Sequence, residues 1–563
     1  MTTEMRKYLI IAGYFIFFWI LIPAGIFFLS VLLDKAVFNY RELSYTWSIP
    51  GYIIAISGFL LLLRTVYQFK LQSGEYPVSA LPAQKLIQRD VFIVWRHPIY
   101  LFASITLFGA SLVLGSCSML LIIFPVFMIL AWLYILREEA ILIKRFGNQY
   151  LYYRNIVPLI IPHMHQWIKI PGAIFFKIWF RLKIRNRENI PSSLPFIVVS
   201  GHRNYLDPFL ISYAVPYPLR HISTFEMFRS PLIRRIFTWG GAIPRRRFVK
   251  DISGTKRIIT ALKKGYPVCF FPEGGRSWTG QLRPFKPEVL KLFSLLKDIL
   301  ILPVRIEGNY HSWPRWADRL MRADITITFE KPVLIEPGMD VYEMQDFLLQ
   351  MVKPGDEVEA AKVCRSRNRI SHLSKVIYRC PVCMCSERLF EIVPDTLKCS
   401  KCRSDFILRP DFSIEYCNAE QKKSESIHSI YNNIRIKDSD IFNLLSGDLH
   451  EQGIKYLNPH ERLIYLSPGQ LWTEKEHIFV RSLKGICVLS DTSVTISGNE
   501  ESCIILLPEI GAVTIESNCK LQIYNELSKV LYQLTFENDS ALKWQDMLSA
   551  IIGYKYKKQI ITR

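Results

Sequence analysis

Acidic residues are in short supply. Forty-nine Asp and Glu stand against 70 Lys and Arg, which leaves a formal net charge of +21 at pH 7. Such a surface is suited to polyanions, either nucleic acid or anionic lipid. A small-residue cleavage pattern is missing after the first apolar stretch, which is itself long enough to span a membrane, so no removable signal is expected. A disulfide framework is missing as well. The twelve cysteines are spread along the chain apart from one tight cluster between 380 and 402, an arrangement that favours thiolate–metal ligation in a reducing compartment. What is abundant is apolar sequence, at 50% of 563 residues. That points to membrane segments within a chain of three or four domains. With membrane segments present, lipid is the simpler partner for the basic surface, and no nucleic acid is expected.

Four apolar runs, Tyr8–Leu33, Ile49–Leu63, Ile99–Gly115 and Met119–Leu136, are near the length that crosses a bilayer. The second is short unless it continues past Arg64. Arg6 and Lys7 precede the first run, Arg64, Lys70, Lys85, Arg89 and Arg96 lie between the second and third, and Lys144, Arg145 and Arg154 follow the fourth. By the positive-inside rule both ends are cytoplasmic, and everything after residue 137 faces the cytosol. The cytosolic edges carry Arg96-His97-Pro98-Ile99-Tyr100, then Glu138-Glu139, Phe146-Gly147 and Tyr150. This pairing resembles the membrane methyltransferases of the isoprenylcysteine carboxyl and phospholipid methyltransferase type. The resemblance implies an S-adenosylmethionine site built from Arg96, His97, Tyr100, Glu138 and Glu139. Ser73-Gly74-Glu75 and Leu81-Pro82 fit the usual approach to it. The sequence departs from that family where a Gly-x-Tyr normally precedes the Arg-His-Pro: here it reads Arg89-Asp90-Val91-Phe92.

His163–Phe180 is aromatic and apolar, as a helix lying on a membrane would be. Beyond it, short strands alternate with helical patterns, the mark of an α/β unit. The expected strands are 196–200, 219–224, 268–271, 302–306 and 325–329, with helices over 208–214, 231–238, 253–264 and 288–297. The first strand runs into Ser200-Gly201-His202-Arg203-Asn204-Tyr205-Leu206-Asp207. A carboxylate five positions after a histidine can fold back onto its ring and leave the other nitrogen as a base. Three further blocks follow: Gly240-Gly241-Ala242-Ile243-Pro244-Arg245-Arg246-Arg247, then Phe270-Phe271-Pro272-Glu273-Gly274-Gly275-Arg276-Ser277, then Ile301-Leu302-Pro303-Val304. In order and spacing the four blocks resemble the glycerophosphate and lysophosphatidate acyltransferase superfamily. Gly201 stands where Asn is usual, and Gly275 where Thr is common.

That resemblance implies His202 as general base and Asp207 as its orienting partner. An acyl-CoA or an acyl-carrier protein is the donor. Glu273, Gly274, Gly275 and Arg276 would form the acceptor-anion site. One of Arg245, Arg246 and Arg247 would add a second contact, and Pro303 would shape the acyl wall.

Cys380-Pro381-Val382-Cys383 and Cys399-Ser400-Lys401-Cys402 are separated by fifteen residues. Two such knuckles close a tetrahedral structural zinc site, a zinc ribbon, with Cys380, Cys383, Cys399 and Cys402 as ligands. After a polar stretch at Ala419–Ser426, alternating apolar segments from 463 to 536 lead to Asn538-Asp539-Ser540, an N-cap signal, and a helix over 541–552. Strands followed by one helix resemble the layout of the pleckstrin-homology and GRAM-type barrel.

The expected fold is therefore multidomain. A four-helix transmembrane domain (1–162) precedes an α/β acyltransferase domain (163–352), a linker (353–374) and a zinc ribbon (375–416). A second linker (417–430) leads to a β-barrel with a capping helix (431–563). The expected function is acyl transfer to a glycerophosphate-type lipid by an integral membrane protein on the cytoplasmic side. Lipid methyl transfer and an inert membrane scaffold are the alternatives.

Overall fold

The computed structural model describes the chain apart from residues 1–2, 41–42, 78–84, 249–250, 297, 337, 356–362, 387–388, 419–420, 438, 441–460, 476–477, 499–500, 517–518, 558–560 and 563. Leu81-Pro82, in the approach to the Arg-His-Pro segment, therefore lies outside the described residues. Three helical tracts, Tyr8–Phe38, Tyr45–Ser73 and Met119–Phe146, are long and apolar enough to cross a membrane. Their large side chains point outward, as at Phe28, Ile53 and Leu121, which suits a surface whose solvent is lipid. The second run does continue past Arg64, whose Nη2 meets Asp90 Oδ1 at 3.0 Å. The expected third span is the helix Pro98–Val113, which has 16 residues. At 1.5 Å per residue it is about 24 Å long, short of a core of roughly 30 Å. It packs tightly on Tyr45–Ser73 through small residues. A Cβ on Gly109 would lie 2.3 Å from the Ala55 nitrogen, and one on Gly58 would lie 2.8 Å from that of Thr106.

The α/β unit is built on seven strands: β1 (Lys183–Arg185), β2 (Phe196–Ser200), β3 (Arg220–Thr224), β4 (Ile243–Arg245), β5 (Val268–Phe270), β6 (Leu300–Glu307) and β7 (Thr326–Phe329). Their order is β1-β7-β6-β2-β5-β3-β4. All neighbours run parallel except β6 and β7. β1 and β4, three residues each, were not among the expected strands. β2 lies at the centre, buried throughout, and its side chains alternate between two cores. Phe196 and Val198 join Tyr153, Phe180 and Leu210 on one face. Ile197 and Val199 join Leu262, Phe293 and Met344 on the other. The helix Met164–Phe180 lies on the first face together with Tyr150, Tyr153 and Ile156 of the membrane part, so the α/β unit packs directly against that part, and Tyr266 Oη donates to the Asn155 carbonyl at 2.9 Å.

Five antiparallel strands follow, Leu389–Ile392 to Gln421–Ser426. Here the structure corrects the second linker. Polar Gln421–Ser426 is an edge strand paired with Ser413–Asn418, where one face meets water and tolerates Lys and Glu. It runs into the helix Ile427–Ile434, which buries Ile427, Ile430 and Ile434. The first linker is also packed in part, with Cys364, Ile370 and Leu373 buried.

The last sheet has eight strands, from Ser502–Leu506 at one edge to Ile561–Thr562 at the other. Its described pairings form a ladder in the order given by consecutive hydrogen-bonded neighbours. Leu463–Lys475 and Ile478–Ser490 are single long strands of 13 residues each. The helix Ala541–Tyr556 covers this sheet, with Trp544 fully buried.

Candidate functional site

Parallel pairing brings the distant motifs together. His202 follows β2, Glu273 and Arg276 follow β5, and Arg246 and Arg247 follow β4, all at the carboxyl edge where ligands of open α/β sheets bind. His202 Nδ1 lies 3.0 Å from Asp207 Oδ2. Asp207 is fully buried, and the His202 side chain is 20% exposed. The backbone N–H groups of Arg203 and Asn204 donate to the same Oδ2, at 2.8 Å each. The turn after β2 therefore forms around this carboxylate. The His202 ring stacks on Phe271, centroids 4.4 Å apart. Burial holds the imidazole below its ordinary pKa, against the opposing pull of Asp207.

Glu273 bridges two loops. Its Oε1 accepts the His202 N–H at 2.6 Å and its Oε2 accepts that of Arg283 at 2.9 Å. Burial nevertheless pushes its carboxyl up to about 7. Gly274 has φ +71°, and a Cβ there would fall 2.1 Å from Lys286 Nζ; the turn therefore requires glycine. Gly275 completes that turn. At Gly201 a Cβ would meet Leu282 Cδ2 at 2.3 Å, so a larger residue there would displace the Leu282 side chain.

Arg276 is buried, with its guanidinium 3.2 Å from the centre of the Tyr205 ring. Burial lowers its pKa to about 10. Among the described residues, Arg276 Nη1 and Arg283 Nε and Nη2 are closed to solvent and have no hydrogen-bond partner. Of the three adjacent arginines, Arg247 bears electrostatically on Arg276, Arg283 and Arg315. Arg246 lies over the Phe225 ring, and Arg245 bears on Asp251. Pro303 pairs with Val199 inside the sheet.

Residues 181–307 match the family model described as Acyltransferase. The chain carries an acyltransferase domain. Residues 47–149 match the family described as Phospholipid methyltransferase, so a methyltransferase-like domain is present too. A chloroplastic 1-acyl-sn-glycerol-3-phosphate acyltransferase of Brassica napus is 29% identical over 175 residues, covering 30% of this chain and 50% of the relative. A chloroplastic enzyme of the same name from Arabidopsis thaliana is 27% identical over 174 residues, covering 30% of this chain and 48% of that one. The chain thus spans about half the length of these curated relatives. The solved 1-acyl-sn-glycerophosphate acyltransferase PlsC of Thermotoga maritima aligns over 53% of this chain and 94% of its own, at 20% identity and TM-score 0.31.

Three polar residues of the acyltransferase domain escaped the sequence reading. Arg283 and Arg315 lie outside every block, and Asn309 reaches Asp207 from 102 positions away. None sits in a pattern that marks it.

In the methyltransferase-like domain, the five residues expected around a cofactor do meet. Arg96 Nη1 lies 2.7 Å from Glu139 Oε1. His97 lies 3.4 Å from both Glu138 Oε2 and Glu139 Oε1. The ring of Tyr100 lies 6.1 Å from that of His97. At the departure from the Gly-x-Tyr pattern, Asp90 has φ 55° and ψ −125°, a conformation suited to glycine.

The sulfurs of Cys380, Cys383, Cys399 and Cys402 all lie within 4.8 Å of one another. Cys380 to Cys402 is 3.6 Å and Cys383 to Cys399 is 3.7 Å. A tetrahedron of Zn–S bonds of about 2.3 Å needs sulfurs about 3.8 Å apart, so the set fits zinc.

Proposed function

We propose that the protein is a membrane-bound O-acyltransferase. It moves an acyl chain from acyl-CoA or acyl-carrier protein to a hydroxyl of a 1-acylglycerol-3-phosphate-like acceptor, in phospholipid synthesis or remodelling. The observation that carries this reading is His202 tied to a buried Asp207, beside guanidinium groups with open donors. Nδ1 keeps its proton against Asp207, and Nε2 takes the proton of the acceptor hydroxyl. The freed oxygen attacks the thioester carbonyl; the C–O bond forms, the C–S bond breaks, and the thiol leaves with the proton returned from His202. Arg276, Arg283 and Arg247 hold the acceptor phosphate. The basic loops favour a cytosolic site at the bilayer, where acyl thioesters and lipid hydroxyls meet. Vesicles carrying the protein are given labelled acyl-CoA and, separately, labelled S-adenosylmethionine. Label in a phospholipid from the first supports the reading and names the acceptor; no label with any glycerophosphate-type acceptor, from acyl-CoA or from labelled acyl-carrier protein offered in its place, rejects it.

Arg276→Ala and Arg283→Ala are each expected to raise the acceptor KM about 10- to 100-fold, as loss of a charged hydrogen bond would, before affecting the donor's. Steady-state kinetics with the acceptor varied checks this, and an unchanged acceptor KM in either variant removes that arginine from the site.

Methyl transfer is the second reading, favoured by the meeting of Arg96, His97, Tyr100, Glu138 and Glu139. Arg96 and His97 suit the carboxylate of S-adenosylmethionine. Glu138, 37% exposed, suits its ammonium, while Glu139 is already engaged by Arg96. Bound there, the cofactor would supply a methyl group. Calorimetry on the detergent-solubilised full chain is expected to show S-adenosylmethionine binding that His97→Ala abolishes. Absence of heat in the unmodified chain would sink this reading.

A further inference from the structure

Asp207 is held from two sides. Oδ2 receives two backbone N–H groups and faces His202, whereas Oδ1 receives Asn309 Nδ2 at 2.7 Å. Both residues are buried, Asp207 at 0% and Asn309 at 1% exposure. Asn309 stands just beyond β6, on the same carboxyl edge as His202, and its carbonyl accepts Asn204 Nδ2 at 2.8 Å. The loops after β2 and β6 are thus locked together around the carboxylate.

Beyond Asn309 the chain leaves the α/β unit and enters the C-terminal core. Tyr310, Trp316 and Met321 belong to the same buried cluster as Cys380, Cys399 and Phe412. The Phe412 ring meets those of His311, Tyr310 and Trp316, at centroid distances of 4.8, 5.8 and 5.8 Å. His311 Nε2 donates to the Asp411 carbonyl at 3.1 Å. Arg315 donates to the Arg276 carbonyl at 2.9 Å and to that of Ile515 in the last sheet. One short segment therefore touches the proposed acid, the anion site, the cysteine-bearing sheet and the C-terminal sheet.

We infer that Asn309 is a positioning residue for Asp207, and that the segment Asn309–Met321 makes the C-terminal half a structural part of the acyltransferase site. The inference rests on the reading of His202 as general base. A buried carboxylate oxygen that loses its donor is destabilised, which the carboxyl avoids by turning or by taking a proton. Either response releases the His202 ring from its orientation. While Asp207 stays ionised, loss of the Asn309 donor concentrates its charge, stabilises the imidazolium and raises the His202 pKa.

The test uses full-length protein in vesicles, with kcat, acceptor KM and the pH profile of kcat/KM measured for Asn309→Leu and Phe412→Ala beside His202→Ala. Asn309→Leu is expected to lower kcat about 10- to 100-fold, keep the acceptor KM within about twofold, and move the acid limb to higher pH. A purely structural loss would lower kcat without moving the limb. Phe412→Ala, outside the site, is expected to lower kcat in the same sense, and Phe412→Leu to restore it. An unmoved limb in Asn309→Leu, whether kcat is wild-type or lowered, overturns the role of Asn309. Wild-type kcat in Phe412→Ala overturns the role of the C-terminal half. Should Asn309→Leu fail to accumulate, Asn309→Ser is judged by the same criteria. Full activity in His202→Ala is a separate result, which removes the general base itself.

Discussion

His202→Ala and Asp207→Ala each lower acyl transfer by about 10²–10⁴-fold, the range of a lost general base, while the protein stays in the membrane at its usual level. Asp207 carries two backbone N–H bonds as well as His202, so its replacement frees a loop in addition to releasing the ring. Asp207→Asn is the finer probe: it keeps the shape and removes the charge that favours the imidazolium, so kcat falls while acceptor KM holds. The pH dependence follows from burial. The base works as neutral imidazole, and its pKa lies below the ordinary 6.5. Activity should therefore be independent of pH around neutrality, where His202 is already neutral, and fall as the pH drops below that ordinary value. An acid limb above it, or an active His202→Ala protein in the vesicle assay, contradicts the assignment.

Loss of the four-cysteine site has the second large effect. Cys380→Ser or Cys399→Ser is expected to abolish bound zinc and open the C-terminal half to proteases. Zinc binding in small ribbon-like units contributes on the order of 10–16 kcal/mol, comparable with the whole stability of a domain, about 5–15 kcal/mol. Cys380 and Cys399 are themselves buried in the largest core, with Trp316, Phe412 and Trp544, so the disruption spreads beyond the knuckles. Metal analysis and limited proteolysis of the purified chain check this. A Cys380→Ser protein with undiminished zinc, or with an unchanged cleavage pattern, rules it out.

The acyltransferase blocks were legible because each is local: a strand, a turn and the residues of that turn. His202, Asp207, Glu273 and Arg276 lie together because β2 and β5 are adjacent and parallel. The cysteine pairs were legible because metal spacing is local too. Less legible were polar elements stabilised by distant partners. Gln421–Ser426 has a linker's composition, and only its pairing with Ser413–Asn418 makes it a strand. β1 and β4 are three residues long, too short to show alternation, and exist through their neighbours. The choice among Arg245, Arg246 and Arg247 was open because three successive residues of one type carry no mark of direction.

By itself, the sequence determined the kinds of unit present and the pairing of His202 with Asp207. Both are written in runs of apolar residues, glycine turns and spacings of a few positions. Tertiary structure alone brought Arg247 within electrostatic reach of Arg276, Arg283 and Arg315 and let Asn309 hold Asp207 from 102 positions away. The reason is physical. Hydrogen bonds and charge act over a few ångströms of space, and folding brings together residues whose separation along the chain bears no relation to that distance.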